Sequence, residues 1–279
     1  QRQMCIRDRL QAVQQGGSFK AIDEMLGHNV ELTDIVRQEN EGDRQAVRDI
    51  MAGHSRAALE HFEQQNQLAV AQDREAAYEE LLKDWIPRGL ASPESQLIFT
   101  GTNLDATNLN RRIQEERLRT DCLSQRKKVE ANGESFYVGD RVLFTRNAHA
   151  KGIQNGMLGT VERIEPLLQI MTVRSDNSGH LRTISLREYD HVKLGYAMTT
   201  HKGQGTTVER AYILTHEAMQ DRELSYVQMS RAKVETRVYT TEFEAGDQLT
   251  ELVRSMERSR QKELATVQRQ SQQIQGHSM

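Results

Sequence analysis

Cysteine is scarce: Cys5 and Cys122 are the only two in 279 residues, too few for a disulfide framework, which points to a reducing compartment. No apolar run approaches the ~20 residues of a membrane span, and the mean hydropathy of −0.72 agrees. One Trp and six Phe argue against extensive base-stacking platforms. Phe144 and Tyr137 are the stacking candidates, with core packing the ordinary fate of both. His28, His54 and His61 lack metal-ligand spacing, so no metal site is read and each is expected at a surface or cap. There is also little excess charge. The formal net value of −3 speaks against a uniformly basic nucleic-acid binder.

What is present is enough for one large domain or two smaller ones, with 37% hydrophobic residues. The charge is unevenly spread. Residues 15–95 hold 8 basic and 16 acidic residues, net −8, whereas residues 96–205 hold 16 and 12, net +4. An acidic helical lobe before a mildly basic middle can conceal an anionic partner.

The chain does not begin with Met, and Gln1–Arg9 has no apolar stretch of a signal peptide. Met4–Arg9 resembles translated adapter sequence from sequencing libraries, so residues 1–9 are read as non-native. Leu10–Val13 is strand-like, Phe19–Leu26 reads as one or two helical turns, and Val30–Val36 alternates like a half-buried strand. From Gly42 to Trp85 the apolar spacing is helical, and Pro87 and Gly89 are expected to end that block. Leu97–Thr100 reads as a strand, followed by a helix over Asp105–Thr120. Between Phe136 and Val192, short strands with turns at Asn155-Gly156 and Asn177–Gly179 suggest a small barrel. Val192–Thr200, Arg210–Thr215 and Thr236–Thr241 read as strands, and Ser225–Arg231 as a helix. Residues 244–275 read as a polar helix that protrudes or leads into a linker. Strands alternating with helices imply an α/β fold with a parallel sheet, interrupted by the barrel.

The most informative stretch is Tyr196-Ala-Met-Thr-Thr-His-Lys-Gly-Gln-Gly-Thr-Thr207. Backbone N–H groups, Thr hydroxyls and the Lys202 ammonium can face phosphates, while Gly203 and Gly205 permit close backbone approach. The residues alone leave a phosphate-facing loop and an ordinary polar loop both open. In Ser225–Lys233, Arg231 is placed to neutralise charge on a transferring phosphoryl group, or simply to sit on a solvated face. Arg37 ends a strand and is, by itself, indistinguishable from a salt-bridge partner.

Together these residues resemble the second half of a superfamily 1 DNA helicase. YAMTTHKGQG is similar to helicase motif V, SYVQMSRAK to motif VI and Val36-Arg37-Gln38 to motif IV. Leu10–Val13 with Gly16, Gly17 and Phe19 resembles the tail of motif III. VGDRVLFTRN with GIQNGMLGTV resembles the SH3-like barrel inserted in the RecD-like branch, and the wording is most similar to conjugative relaxase–helicases of plasmid transfer.

The resemblance implies a RecA-like parallel sheet with helices on both faces. It implies residues 10–30 as the end of the first RecA-like domain, 31–131 as the first part of the second, and 132–192 as the barrel. Residues 193–243 would complete the second RecA-like domain, and 244–279 would be a C-terminal helix or linker. Arg231 and Arg37 would contact the ATP γ-phosphate, and Gln204 with Gly203 and Gly205 would couple nucleotide to DNA. Asn103, Thr199, Thr200, His201 and Lys202 would lie along single-stranded DNA. The implied cofactor is ATP with Mg2+, and the implied partners are the first RecA-like domain in cis and the conjugation or repair machinery of a bacterial cytoplasm. No G-x-x-x-x-G-K-[ST] occurs in the chain, and Asp23-Glu24 lacks the apolar strand of a Walker B pair. The chain alone is therefore expected to be inactive. A non-enzymatic DNA- or protein-binding module and a RecD-like repair helicase are the alternatives.

Overall fold

The computed structural model describes residues 37–203 and 205–259. The expected elements at Leu10–Val13, Phe19–Leu26 and Val30–Val36, together with Asp23-Glu24, His28 and Gln204, lie outside these residues.

Asn40 opens helix α1 (Glu41–Ala52) by accepting from the N–H groups of Gly42 and Asp43, and Gly53 closes it in the left-handed region at φ 86°. Helix α2 (Ser55–Gln64) follows directly. One expectation fails after it. The block read as continuously helical contains strand β1 (Leu68–Ala71), entered through Asn66 at φ 54°. Its four residues are too few to show a period of their own, so the flanking helices masked them. Helix α3 (Arg74–Gly89) follows and, passing Pro87, ends at Gly89, one of the two residues expected to stop it.

Strand β2 (Gln96–Thr100) and helix α4 (Asn103–Arg119) match the expected strand and helix to within two residues. The antiparallel part follows as β3 (Ser124–Ala131), β4 (Glu134–Val138), β5 (Arg141–Phe144), β6 (Leu158–Glu165), β7 (Ile170–Ser175), β8 (Leu181–Ser185) and β9 (Val192–Leu194). The chain returns to the first sheet with β10 (Ala197–Thr199), β11 (Val208–Leu214), helix α5 (Arg222–Met229) and β12 (Ala232–Thr241). It continues into α6 (Glu242–Ala245) and α7 (Thr250–Glu257).

The fold is α/β. Five strands pair in the order β1-β12-β11-β2-β10, every neighbouring pair parallel. Successive side chains of a strand serve opposite faces. On β11, Tyr212 and Leu214 join the core under α3 and α4, with Trp85, Leu81, Leu109 and Ile113. Ile213 instead joins Val47, Leu59, Phe62 and Met229 beneath α1, α2, α5 and α7. Helices thus cover both faces, as a parallel sheet requires.

The strands between α4 and β10 form a separate antiparallel sheet ordered β8-β7-β6-β5-β9, with β3 and β4 as a two-stranded hairpin. Val192–Thr200, read as one strand, is two: β9 closes the antiparallel sheet and β10 edges the parallel one. The break includes Gly195, where the chain passes so close to β5 that a Cβ would lie 2.7 Å from the Val142 carbonyl carbon. The segment after residue 244 is corrected as well. Gly246 at φ 65° and Leu249 at φ 64° interrupt it, and Leu252, Val253 and Met256 of α7 are buried rather than protruding.

A buried polar knot ties the two sheets together. Asp140, wholly buried, accepts from the Tyr196 hydroxyl at 2.6 Å, Gln114 Nε2 at 2.7 Å and the Tyr137 N–H at 2.8 Å. Arg117 of α4 donates to the same Tyr196 hydroxyl at 3.2 Å. Burial raises the Asp140 carboxyl to about 6, against the opposing effect of these hydrogen bonds. Alongside, Asn110 accepts from the N–H groups of Tyr196 and Ala197 at 2.9 and 2.8 Å, fixing where β10 begins.

Candidate functional site

Of the two arginines singled out in the sequence, Arg37 reaches the C-terminal end of α5, at the residue before Arg231. It donates a terminal guanidinium N–H to the carbonyl of that residue, Ser230. Gln38 Nε2 donates to the Ala232 carbonyl at 3.1 Å, and the Glu39 N–H to that of Lys233 at 2.7 Å. Residues 37–39 therefore run against residues 230–233. Burial lowers the Arg37 guanidinium from its ordinary value, although it stays cationic throughout the physiological range. Arg231 is 6% exposed, and its Nε donates to the Val227 carbonyl at 2.6 Å, the side chain folding back along α5.

The glycine-rich loop leaves β10 in a tight turn. The N–H groups of Lys202 and Gly203 both donate to the Thr199 carbonyl, at 3.0 and 3.2 Å. Gly203 has no room for a side chain, because a Cβ would sit 2.4 Å from the buried Phe99 ring. Gly205 adopts φ 90°, the left-handed region that glycine enters at little cost. Lys202 Nζ donates to Asn103 Oδ1 at 3.3 Å, so this pair from the sequence reading is brought together at the first turn of α4. Burial, and secondarily the charge of Lys193, lowers the Lys202 ammonium from its ordinary value. His201 is exposed and Thr199 half-buried, both at the same loop. Thr200 differs from its neighbours: it is wholly buried, and its hydroxyl accepts from Gln228 Nε2 at 2.8 Å.

The arginine pair and the loop are joined by α5, and this connection was not legible from the sequence. Gln228 sits between Val227 and Met229 in an otherwise apolar stretch, so only its own polarity marked it. The stacking candidates resolve simply: Phe144 is wholly buried and Tyr137 half-buried. His61 bonds Asp43 at 2.8 Å, and His54 precedes α2 without a side-chain cap bond. Beside the loop lies a cavity of about 590 Å³, whose walls include Gly156, Arg174, Thr206 and Thr207.

Comparison with known proteins places this geometry in context. A family model described as an AAA domain matches residues 7–73. The chain is 29% identical over 234 residues to a conjugal transfer protein TraA of Agrobacterium fabrum, covering 83% of this chain and 21% of that protein. It is 35% identical over 98 residues to an ATP-dependent RecD2 DNA helicase of Deinococcus radiodurans, covering 34% of this chain and 13% of that one. The chain thus spans about a fifth of the TraA relative's length. A crystal structure of Pif1 helicase from Bacteroides in complex with ADP-AlF3 and ssDNA overlays at TM-score 0.49 and 20% identity, over 76% of this chain and 52% of that one.

Proposed function

We propose that this chain, a relative of the RecD-like superfamily 1 helicases, is the second motor domain of an ATP-dependent DNA helicase that translocates on single-stranded DNA. The observation that carries the reading is the contact of Arg37 with the Ser230–Arg231 segment, which the Lys202 loop adjoins through Gln228 and Thr200. Two guanidinium groups at one edge suit the terminal phosphate of a nucleotide held by a partner domain, where charge develops during phosphoryl transfer. ATP supplies the transferable phosphoryl group, and Mg2+ ligation falls to residues outside this chain. Arg37 and Arg231 would hold the γ-phosphate, with Gln204, Gly203 and Gly205 at the turn that couples nucleotide to strand.

The DNA side of the proposal uses Asn103, Thr199, His201 and Lys202. Lys202 and Asn103 offer a cation and an amide to the phosphate–sugar backbone, contacts that position a strand without reading its sequence. The antiparallel insertion, here proposed as an SH3-like barrel, stands beside that track. Kinship with TraA favours a parent that acts in plasmid transfer in the bacterial cytoplasm. Among the described residues no helix is long and apolar enough to cross a membrane. A RecD-type repair helicase is the second reading, favoured by the 35% identity over 98 residues.

The test has two arms. The isolated chain is expected to show no ATP turnover, whereas the full open reading frame, purified intact, is expected to hydrolyse ATP faster with single-stranded DNA. Turnover by the purified isolated chain, or none by the intact parent, would overturn the proposal.

A further inference from the structure

Gln228 touches both halves of the site. Its backbone carbonyl accepts from the Arg231 N–H at 3.2 Å, while its side-chain amide donates to the Thr200 hydroxyl at 2.8 Å. The other end of the amide is also occupied. Gln228 Oε1 accepts from Gln220 Nε2 at 3.1 Å, and that nitrogen donates to Ser225 Oγ at 2.6 Å. Ser225 Oγ in turn donates to the carbonyl of Asp221, the cap residue of α5, at 2.6 Å. Thr200, Ser225 and Gln228 are wholly buried, and Gln220 is 1% exposed.

Buried polar groups are costly unless each is satisfied, and a fully satisfied network defines a single arrangement of its members. An apolar pair at positions 200 and 228 would pack the same space with no such demand. The polar pair does something packing alone does not: it fixes the rotational setting of α5 against one peptide of the loop that carries His201 and Lys202. Movement of Arg231 along or about α5 must stretch the Gln228–Thr200 bond or drag Thr200 with it.

We infer that Gln228 is a positioning residue that couples the arginine end of α5 to the DNA-facing loop through Thr200, so that strand binding and nucleotide turnover report on each other. The inference rests on the motor-domain reading. It concerns communication between the two ligands, and neither ligand is touched by Gln228 itself.

The experiment uses the intact parent, with ATP turnover measured without DNA and with saturating oligo-dT. Gln228→Leu is expected to keep the DNA-independent rate and lose about tenfold of the stimulation, the usual scale of coupling between sites. Thr200→Val, similar in shape, is expected to lose the same stimulation, and Thr200→Ser, which keeps the hydroxyl, to retain it. The Gln228→Leu, Thr200→Val double variant is expected to be no worse than either single one. Thermal melting shows whether each variant is folded, and should Gln228→Leu fail to fold, Thr200→Val against Thr200→Ser gives the answer. Full stimulation in Thr200→Val, or additive losses in the double variant, would overturn the inference. A wild-type parent without DNA-stimulated turnover would instead overturn the motor reading beneath it.

Discussion

Tyr196 donates its hydroxyl to Asp140 at 2.6 Å, and through that bond the last residues before β10 are tied to the turn between β4 and β5. The carboxyl, raised to about 6 by burial, gives this junction a pH dependence. A carboxyl whose folded value lies above its unfolded one near 3.8 adds stability at low pH, and loses that contribution as pH rises through about 6. The stability of the chain relative to Asp140→Asn is therefore expected to fall between about pH 4 and pH 6, by up to roughly 3 kcal/mol. Urea unfolding of both proteins across that window measures it; a constant difference would mean that Asp140 does not titrate there.

Arg231→Ala in the intact parent is expected to lower the ATP turnover number by about 10³- to 10⁵-fold, the range found for arginines that stabilise phosphoryl transfer. Affinity for single-stranded DNA should change little, since Arg231 is buried, with its Nε on the Val227 carbonyl, and is not among the residues proposed to meet the strand. Steady-state turnover and DNA titration on the same preparation separate the two effects. Undiminished turnover would remove Arg231 from the nucleotide site.

Lys202→Ala in the parent is expected to weaken single-strand binding and to reduce the slope of log affinity against log salt by about one, because one fewer phosphate contact releases one fewer counterion. Fluorescence anisotropy at four or more salt concentrations gives the slope. An unaltered slope would take Lys202 off the strand.

Gly203→Ala is expected to destabilise the isolated chain by about 1–3 kcal/mol, the usual cost of overfilling a packed site. The new methyl would meet Phe99 at 2.4 Å and Met198 Sδ at 3.1 Å, and Phe99 is wholly buried. Chemical denaturation of the two proteins decides it, and equal midpoints would show that the loop yields freely.

The alternation of apolar strands and amphipathic helices made the parallel sheet readable, because β2 and α4 each carry their own period and their own boundaries. Strand β1 was hidden because four apolar residues between two helices continue a helical pattern as easily as they break it. The division at Gly195 was hidden because Val192, Leu194, Tyr196, Ala197 and Met198 are all buried, and only Lys193 and Gly195 interrupt what reads as one strand. At the site, residue types suggested which side chains matter, but the Arg37–Ser230 contact joins residues 193 apart and no local pattern carries it. Gln228 was silent for a different reason: one amide between Val227 and Met229 acquires meaning only when its partner Thr200, in the loop after β10, is known.

The Asn155-Gly156 turn has a consequence for the insertion as a whole. Gly156 adopts φ 85° and lies so close that a Cβ there would be 3.0 Å from the Lys202 carbonyl oxygen. The antiparallel sheet therefore rests on the glycine-rich loop at the peptide whose side chain is proposed to meet DNA. Any side chain larger than hydrogen at position 156 would press on the peptide that carries Lys202, so the spacing between insertion and loop is set by backbone against backbone.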